Sequence, residues 1–375
     1  MYYLALMVFF FTNVHATNSV CPQQYCTGVV DAGSTGTRAH IYAYDFDDNH
    51  NPINIKEIWS NKINPGIASL DIQSNTINHY LDKLFANSPV TNIPFYFYST
   101  AGMRLHSQKK QDSYYHLITS WFNNHPQWLL NNIKTISGQE EAVYGWLSVN
   151  YQIGAFTQKG KPLVGVMDMG GASVQITFPV QNTGNIVNND LIQVDIYGYR
   201  INLFAHSFLG LGQTLLSQQY LDANNCFAKN YQLPASGLAN GDAYSCQRDV
   251  EKLINTVHNT NRLVAPVLNT NPMQYWYTIG GLAILSEDKS LGFKHNQFTS
   301  DELLAKSNKI YCQQEWQYIK SQYPDNEYIH NYCLNASYFY ALIVNGYGLS
   351  SRQTINTLSN HTNADWTIGV ILQQH

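Results

Sequence analysis

The chain has 375 residues, a formal net charge of −4, 12% charged residues and 13% aromatics. That length accommodates two domains, and so aromatic and weakly charged a chain buries cores rather than staying disordered. With no basic excess, nucleic acid is not an expected partner.

In chain order, the first stretch is MYYLALMVFFFTNVHA, with an apolar run over residues 4–11 and small residues near 14–16. This is a signal peptide in outline, covering residues 1–16, although it lacks the usual Lys or Arg near Met1. A hydrophobic N-terminus, or a start downstream of a longer leader, is the alternative. The run is too short to span a membrane. No later stretch approaches a transmembrane helix, so no stable membrane anchor is expected.

Next comes VVDAGSTGTRAHIY (29–42), which predicts a hairpin over residues 28–44. Asp31 closes its first strand, and a turn of small residues follows. Residues 53–59 predict a third strand, 61–69 a loop and 76–85 a helix, from the spacing of Ile77, Tyr80, Leu81 and Leu84. The aromatic run PFYFYS (94–99) reads as a buried strand ending in Thr100-Ala101-Gly102-Met103-Arg104. A helix over 113–123, a short strand over 128–136 and a helix over 139–151 complete an α/β unit.

Residues 157–162 read as a crossover into a second half. There GVMDMGGASVQITF (165–178) repeats the plan of the first hairpin, with Asp168 in the place of Asp31. A strand pair over 191–202 follows, then residues 206–220 running into a helix. Residues 223–247 read as a disulfide-tied surface loop and 247–267 as a helix. A strand over 275–279 precedes helices over 301–323 and 335–347. Residues 366–372 (WTIGVIL) predict a terminal strand or helix docking back on the first half.

Six cysteines fit an exported chain and permit 15 pairings. They fall as three close pairs along the chain, which favours Cys21–Cys26, Cys226–Cys246 and Cys312–Cys333. Zinc is the rival reading, but no CxxC or HExxH occurs. Asn335-Ala336-Ser337 matches a glycosylation acceptor.

The repeated hairpin implies two related halves facing each other across a cleft. One Asp at a turn is ordinarily a structural cap. Two at matched positions suit a divalent cation, Mg²⁺ or Ca²⁺, held through water while phosphates fill the remaining positions. The loops 33–37 and 170–173 would bind phosphate oxygens through N–H and hydroxyl groups. Arg104 is either an ordinary ion pair or a charge-assisted phosphate contact, and Arg38 has the same two readings. Glu140 and Glu141 begin a helix, where the dipole favours acids, and one of them is a candidate general base. Ser173 and Gln175, two apart on an extended segment, share a face.

Five motifs carry a family resemblance: DAGSTGTR (31–38), STAGMR (99–104), SGQEEAVYGWLSVNY (137–151), DMGGASVQ (168–175) and WTIGVIL (366–372). The chain resembles an apyrase of the nucleoside triphosphate diphosphohydrolase family, bacterial exported type, within the actin-like ATPase superfold. The resemblance implies an α/β fold of two RNase H-like domains with an interdomain active site. The expected division is 27–150, completed by about 355–375, and 151–354. It implies Glu141 as general base, with Ser173 and Gln175 positioning the water. Ser34, Thr35, Gly36, Arg38, Thr100, Ala101, Arg104, Gly170, Gly171 and Ala172 would bind phosphate. Asp31 and Asp168 would hold the cation through water.

Bacterial relatives sandwich the base between tyrosines, and here Tyr328 and Tyr332, spaced i, i+4, are the candidates. Two ordinary tyrosines among 27 is the competing reading. Ile284, near where some relatives place a polar nucleotide contact, offers no hydrogen bond. The implied substrates are ATP, ADP, GTP and GDP, with a monomeric enzyme in the periplasm or medium. An exopolyphosphatase or an actin-fold kinase is the alternative.

Overall fold

The computed structural model describes residue 21 and residues 24–235, 237–358 and 365–374. The expected leader at 1–16 lies outside them. The first half carries β1 (Tyr25–Ala32), β2 (Thr37–Phe46), β3 (Pro52–Ile63), β4 (Pro94–Ser99) and β5 (Leu129–Thr135), in the sheet order β3-β2-β1-β4-β5. The second half carries β6 (Gly165–Met169), β7 (Ser173–Pro179), β8 (Leu191–Ile196), β9 (Tyr199–Leu209), β10 (Trp276–Gly280), β11 (Gln297–Thr299) and β12 (Thr354–Asn356). Its order is β11-β12-β10-β6-β7-β9-β8.

The two orders contain one plan. β3-β2-β1-β4-β5 corresponds to β9-β7-β6-β10-β12, with an antiparallel hairpin at each centre and parallel strands beside it. β8 and β11 extend the edges of the second sheet. The repeat expected from the two hairpins therefore extends to the topology of both halves. β1 is buried along nearly its whole length, as a central strand between antiparallel β2 and parallel β4, covered on both faces, requires. β3 alternates between covered and exposed residues, the pattern of an edge strand with one wet face.

Helix Gly138–Gln152 packs on β6, β7 and β9, and the terminal helix Thr367–Gln373 packs on it and on β1. WTIGVIL is thus a helix, not a strand. It is tied to the first half by a 2.6 Å hydrogen bond between Tyr42 Oη and Thr367 Oγ1. β12 straddles the expected junction near residue 355 and lies in the second sheet.

Several expectations are corrected. β3 runs to Ile63 instead of ending at 59, and a helix starts at Gln108 instead of 113, because its polar first turn carries no apolar periodicity. Residues 206–209 belong to β9, and the helix after them spans only Gln213–Gln219. The loop 223–247 is not a surface feature, since Cys226, Phe227 and Cys246 are fully buried and helix Ala243–Lys252 is capped by Asp242. The helix expected over 247–267 breaks at a π-helical turn, Leu253–Val257, and at Asn259, whose φ is +53°. The helix expected over 301–323 breaks likewise, into Ser300–Ser307, a π-turn Asn308–Cys312 and Trp316–Gln322. The last expected helix starts at Tyr332 and ends in a π-turn, Ala341–Gly346. Asn335 is buried on it, which removes it as a glycan acceptor.

The disulfides Cys21–Cys26, Cys226–Cys246 and Cys312–Cys333 form as expected, with Cα–Cα distances of 5.8, 5.0 and 5.1 Å.

Candidate active site

The two hairpins meet at their turns. Asp31 pairs in register with Arg38 across β1 and β2, and Asp168 pairs with Gln175 across β6 and β7. Arg38 and Gln175 therefore hold matching places in the two halves. A Cβ on Gly171 would lie 2.7 Å from Ser34 Oγ and 2.9 Å from Thr35 Cγ2. Only a residue without a side chain lets the loops approach this closely. Gly280, at φ +72°, plays a related part: a Cβ there would lie 2.9 Å from Asp168 Oδ1.

A cavity of about 190 Å³ opens between the loops. Asp31, Ser34, Thr35, Gly36, Arg38, Thr100, Ala101, Glu141, Asp168, Gly170, Gly171, Ala172 and Ser173 line it. These residues come from both halves and from four of the five motifs. The Gly170 N–H donates to the Ser173 carbonyl at 3.1 Å, and the Gln213 and Thr214 N–H groups donate to the carbonyls of Gly170 and Gly171. Those bonds fix the shape of the second loop and occupy the Gly170 donor.

Beside the cavity stands a hydrogen-bonded cluster. The two acids at the helix start separate by environment. Glu140 completes a capping box, its Oε2 accepting from the Ser137 N–H at 2.8 Å, and its Oε1 takes a 2.5 Å bond from Lys134. Glu141 turns inward and is 7% exposed. Its Oε2 accepts from Arg104 Nη2 at 2.5 Å and from Gln175 Nε2 at 3.1 Å. Ser173 Oγ accepts from the same two groups, at 3.1 and 2.7 Å. Burial pushes the Glu141 carboxyl up, and Arg104 opposes the shift. Arg104 and Gln175 sit behind Glu141 rather than on the cavity wall, and the buried Gln175 Oε1 has no hydrogen-bond partner among the described residues.

Four acidic side chains share this region. Burial pushes Asp31 up to about 7, with Asp365 and Glu141 adding repulsion. Asp168 is raised well above its ordinary value by burial, then by Glu141, Asp31 and Asp365. Asp31 Oδ1 is buried and has no hydrogen-bond partner among the described residues. Repelling carboxylates with an orphaned oxygen fit a cation. Among the described residues no three His, Cys, Asp or Glu side chains converge closely enough to ligate one directly.

Sequence reasoning missed Lys62, Asp365, Trp366, Ile279 and Gly280, all of which line the cavity. Lys62 faces Arg38 across β2 and β3. Asp365 is held at the start of the terminal helix, its Oδ1 accepting from the Thr367 N–H at 2.9 Å and its carbonyl from Ser148 Oγ at 2.5 Å. Its Oδ2 lies 3.1 Å from Nε2 of the fully buried His40, whose Nδ1 lies 2.7 Å from Glu57. Burial pulls the His40 imidazole down, but Asp365 and Glu57 outweigh it and hold it above its ordinary value.

Tyr328 and Tyr332 do not line the cavity. The i, i+4 face is not formed, because Ile329–Asn331 is a 3₁₀ turn. Tyr328 is 58% exposed, whereas the Tyr332 hydroxyl accepts from Asn326 and its ring meets Tyr311 edge-on at 5.2 Å. Ile284 is exposed on helix Gly281–Ser286.

Two sheets of one plan, facing across a loop-lined acidic cleft, define a two-domain phosphate-handling protein of the actin and hexokinase type. The chain belongs to the GDA1/CD39 (nucleoside phosphatase) family, whose model matches residues 19–241 and 236–375. It is 26% identical to ectonucleoside triphosphate diphosphohydrolase 1 of Bos taurus over 95% of this chain and 82% of that protein. It is 25% identical to nucleoside-diphosphatase mig-23 of Caenorhabditis briggsae over 99% and 81%. In fold it is similar to nucleoside triphosphate hydrolases from Neospora caninum, with a TM-score of 0.61, 14% identity and 93% and 92% of the two chains covered. It is also similar to an Aquifex aeolicus Ppx/GppA family member, with a TM-score of 0.56, 12% identity and 93% and 97% covered.

Proposed function

We propose that the protein is an exported, divalent-cation-dependent apyrase that hydrolyses nucleoside tri- and diphosphates by direct attack of water. The observation that carries this reading is Glu141, buried beside the cavity and bonded to Arg104 and Gln175 through Oε2 alone. Oε1 has no hydrogen bond from a described residue and serves as the base. Relatives named as a diphosphohydrolase and a diphosphatase support the substrate class. Three disulfides, and the absence among the described residues of a helix long and apolar enough to cross a membrane, accord with export to the periplasm or medium.

In this mechanism the N–H and hydroxyl groups of residues 34–36 and 171–172, with Thr100, Ala101 and Arg38, hold the phosphate chain. Asp31 and Asp168 would hold the cation, Mg²⁺ or Ca²⁺, through water, and it would supply neutralisation of phosphate charge. Ser173 and Gln175 orient the water. Its oxygen bonds to the terminal phosphorus as the bond from phosphorus to the bridging oxygen breaks. Glu141 takes the proton, and the bridging oxygen leaves on the shortened nucleotide. No phosphoenzyme forms.

The test is phosphate release from ATP, ADP, GTP, GDP and polyphosphate, with Mg²⁺ or Ca²⁺ and with EDTA. Nucleotides are expected to turn over and EDTA to stop the reaction. Activity indifferent to EDTA removes the cation, and preference for polyphosphate moves the protein to the exopolyphosphatase reading that its Ppx/GppA-like fold leaves open.

For base binding we keep Tyr328 and Tyr332 as the stacking pair. Tyr328→Ala and Tyr332→Ala are expected to raise KM at unchanged kcat, by roughly fivefold or more if each ring stacks on the base. Tyr328 is the cleaner test, since Tyr332 also packs on Tyr311. Unaltered KM in both variants places base recognition elsewhere.

A further inference from the structure

Ser207 lies on β9 directly opposite Gln175 of β7. Its Oγ accepts from Gln175 Nε2 at 3.0 Å. The same side chain is wedged against the start of the Glu141 helix: a Cβ on Gly138 would lie 2.3 Å from Ser207 Cβ and 2.7 Å from Arg104 Nη1. One serine thus stands where β9, the Glu141 helix and Arg104 converge.

A carboxamide has two ends of nearly equal shape, and only its hydrogen bonds decide which end points where. At Gln175, three acceptors gather on the nitrogen: Glu141 Oε2, Ser173 Oγ and Ser207 Oγ, all within 3.1 Å. The oxygen is buried and unpartnered among the described residues. Glu141 and Ser173 both line the cavity and both face substrate. Ser207 does not line it, so its bond to Gln175 stays clear of substrate.

We propose that Ser207 is a positioning residue for the attacking water, acting through Gln175. This rests on the reading of Glu141 as general base. The amide nitrogen carries two N–H groups for these three acceptors: Ser207 Oγ takes one on the side away from the cavity, and Glu141 Oε2 and Ser173 Oγ share the other. Gln175 so held fixes Glu141 and Ser173, the two groups of the cluster that face the water. A flipped amide would turn its oxygen toward the Glu141 carboxylate and lose both bonds.

The experiment is a double-mutant cycle on the full chain with saturating nucleotide. Ser207→Ala is expected to lower kcat about tenfold, the scale of one lost hydrogen bond, at unchanged KM. In a Gln175→Ala background, Ser207→Ala is expected to change kcat by less than about twofold, because the group it positions is gone. A purely structural serine would give the same loss in both backgrounds, and that result overturns the proposal. So does wild-type kcat in Ser207→Ala. A Glu141→Gln enzyme that retains activity overturns the base assignment beneath it, and is distinguishable because it leaves the Ser207–Gln175 coupling intact.

Discussion

Glu141→Gln is expected to abolish turnover, lowering kcat by about 10²–10⁴-fold, while nucleotide still binds. Glutamine keeps the shape and the hydrogen-bonding oxygen but has no basic site. The loss should therefore fall on the chemical step. Glu141 is nearly fully buried, and both of its hydrogen bonds lie on one oxygen. Phosphate release measures the first half of the result, and calorimetric binding of a non-hydrolysable ATP analogue measures the second. More than about a tenth of the wild-type rate would place the base elsewhere. Glu140→Gln is the control. Its carboxylate caps the helix and pairs with Lys134, so a modest loss of stability, of about 1 kcal/mol, is expected with little effect on rate.

Asp31→Asn is expected to move activity and stability in opposite directions. Without cation, burial and the neighbouring carboxylates hold the Asp31 carboxyl near pKa 7, against an ordinary value of 3.8. A folded-state value above the unfolded one means the stability from this group is full below the unfolded pKa. It is lost as pH rises through the folded value. In EDTA the wild type should therefore weaken between about pH 4 and 7 through this group. Asparagine does not ionise, so the variant should melt higher than wild type at pH 8, and the advantage should vanish near pH 4. Activity should fall at least 100-fold, an estimate of about 3 kcal/mol for one lost charge beside a buried phosphate site. Melting curves in EDTA at the two pH values, alongside phosphate release, check both halves. A variant that melts lower than wild type at pH 8 would show that Asp31 serves the fold and not the cation.

The parts of the site legible in sequence share a property. In DAGSTGTR and DMGGASVQ the carboxylate, the turn and the following polar residue are contiguous, so the backbone alone brings them together. The same holds for Ser137-Gly138-Gln139-Glu140-Glu141, whose capping box is a local motif. Even there, either acid could have been the base. Helix geometry turns Glu140 back to Ser137 and Glu141 inward to Arg104. The broken helices beyond residue 247 were not legible, because a π-turn such as Leu253–Val257 continues an apolar period without a glycine or proline to mark it.

The sequence by itself determined that there are two halves of one plan, that each offers a carboxylate and a glycine-bearing loop, and that the cysteines pair with neighbours. These are matters of chain-local spacing. The tertiary structure alone decided which residues complete the cleft. Asp365 reaches it because the terminal helix returns to the first half, where Tyr42 bonds Thr367 and Asp365 comes within 3.1 Å of His40, hundreds of residues away in the chain. Lys62 reaches it through the β2–β3 register, and Ser207 reaches Gln175 through the β7–β9 register. Register and chain return depend on how all the buried side chains pack together, a cooperative quantity that no single stretch of sequence carries.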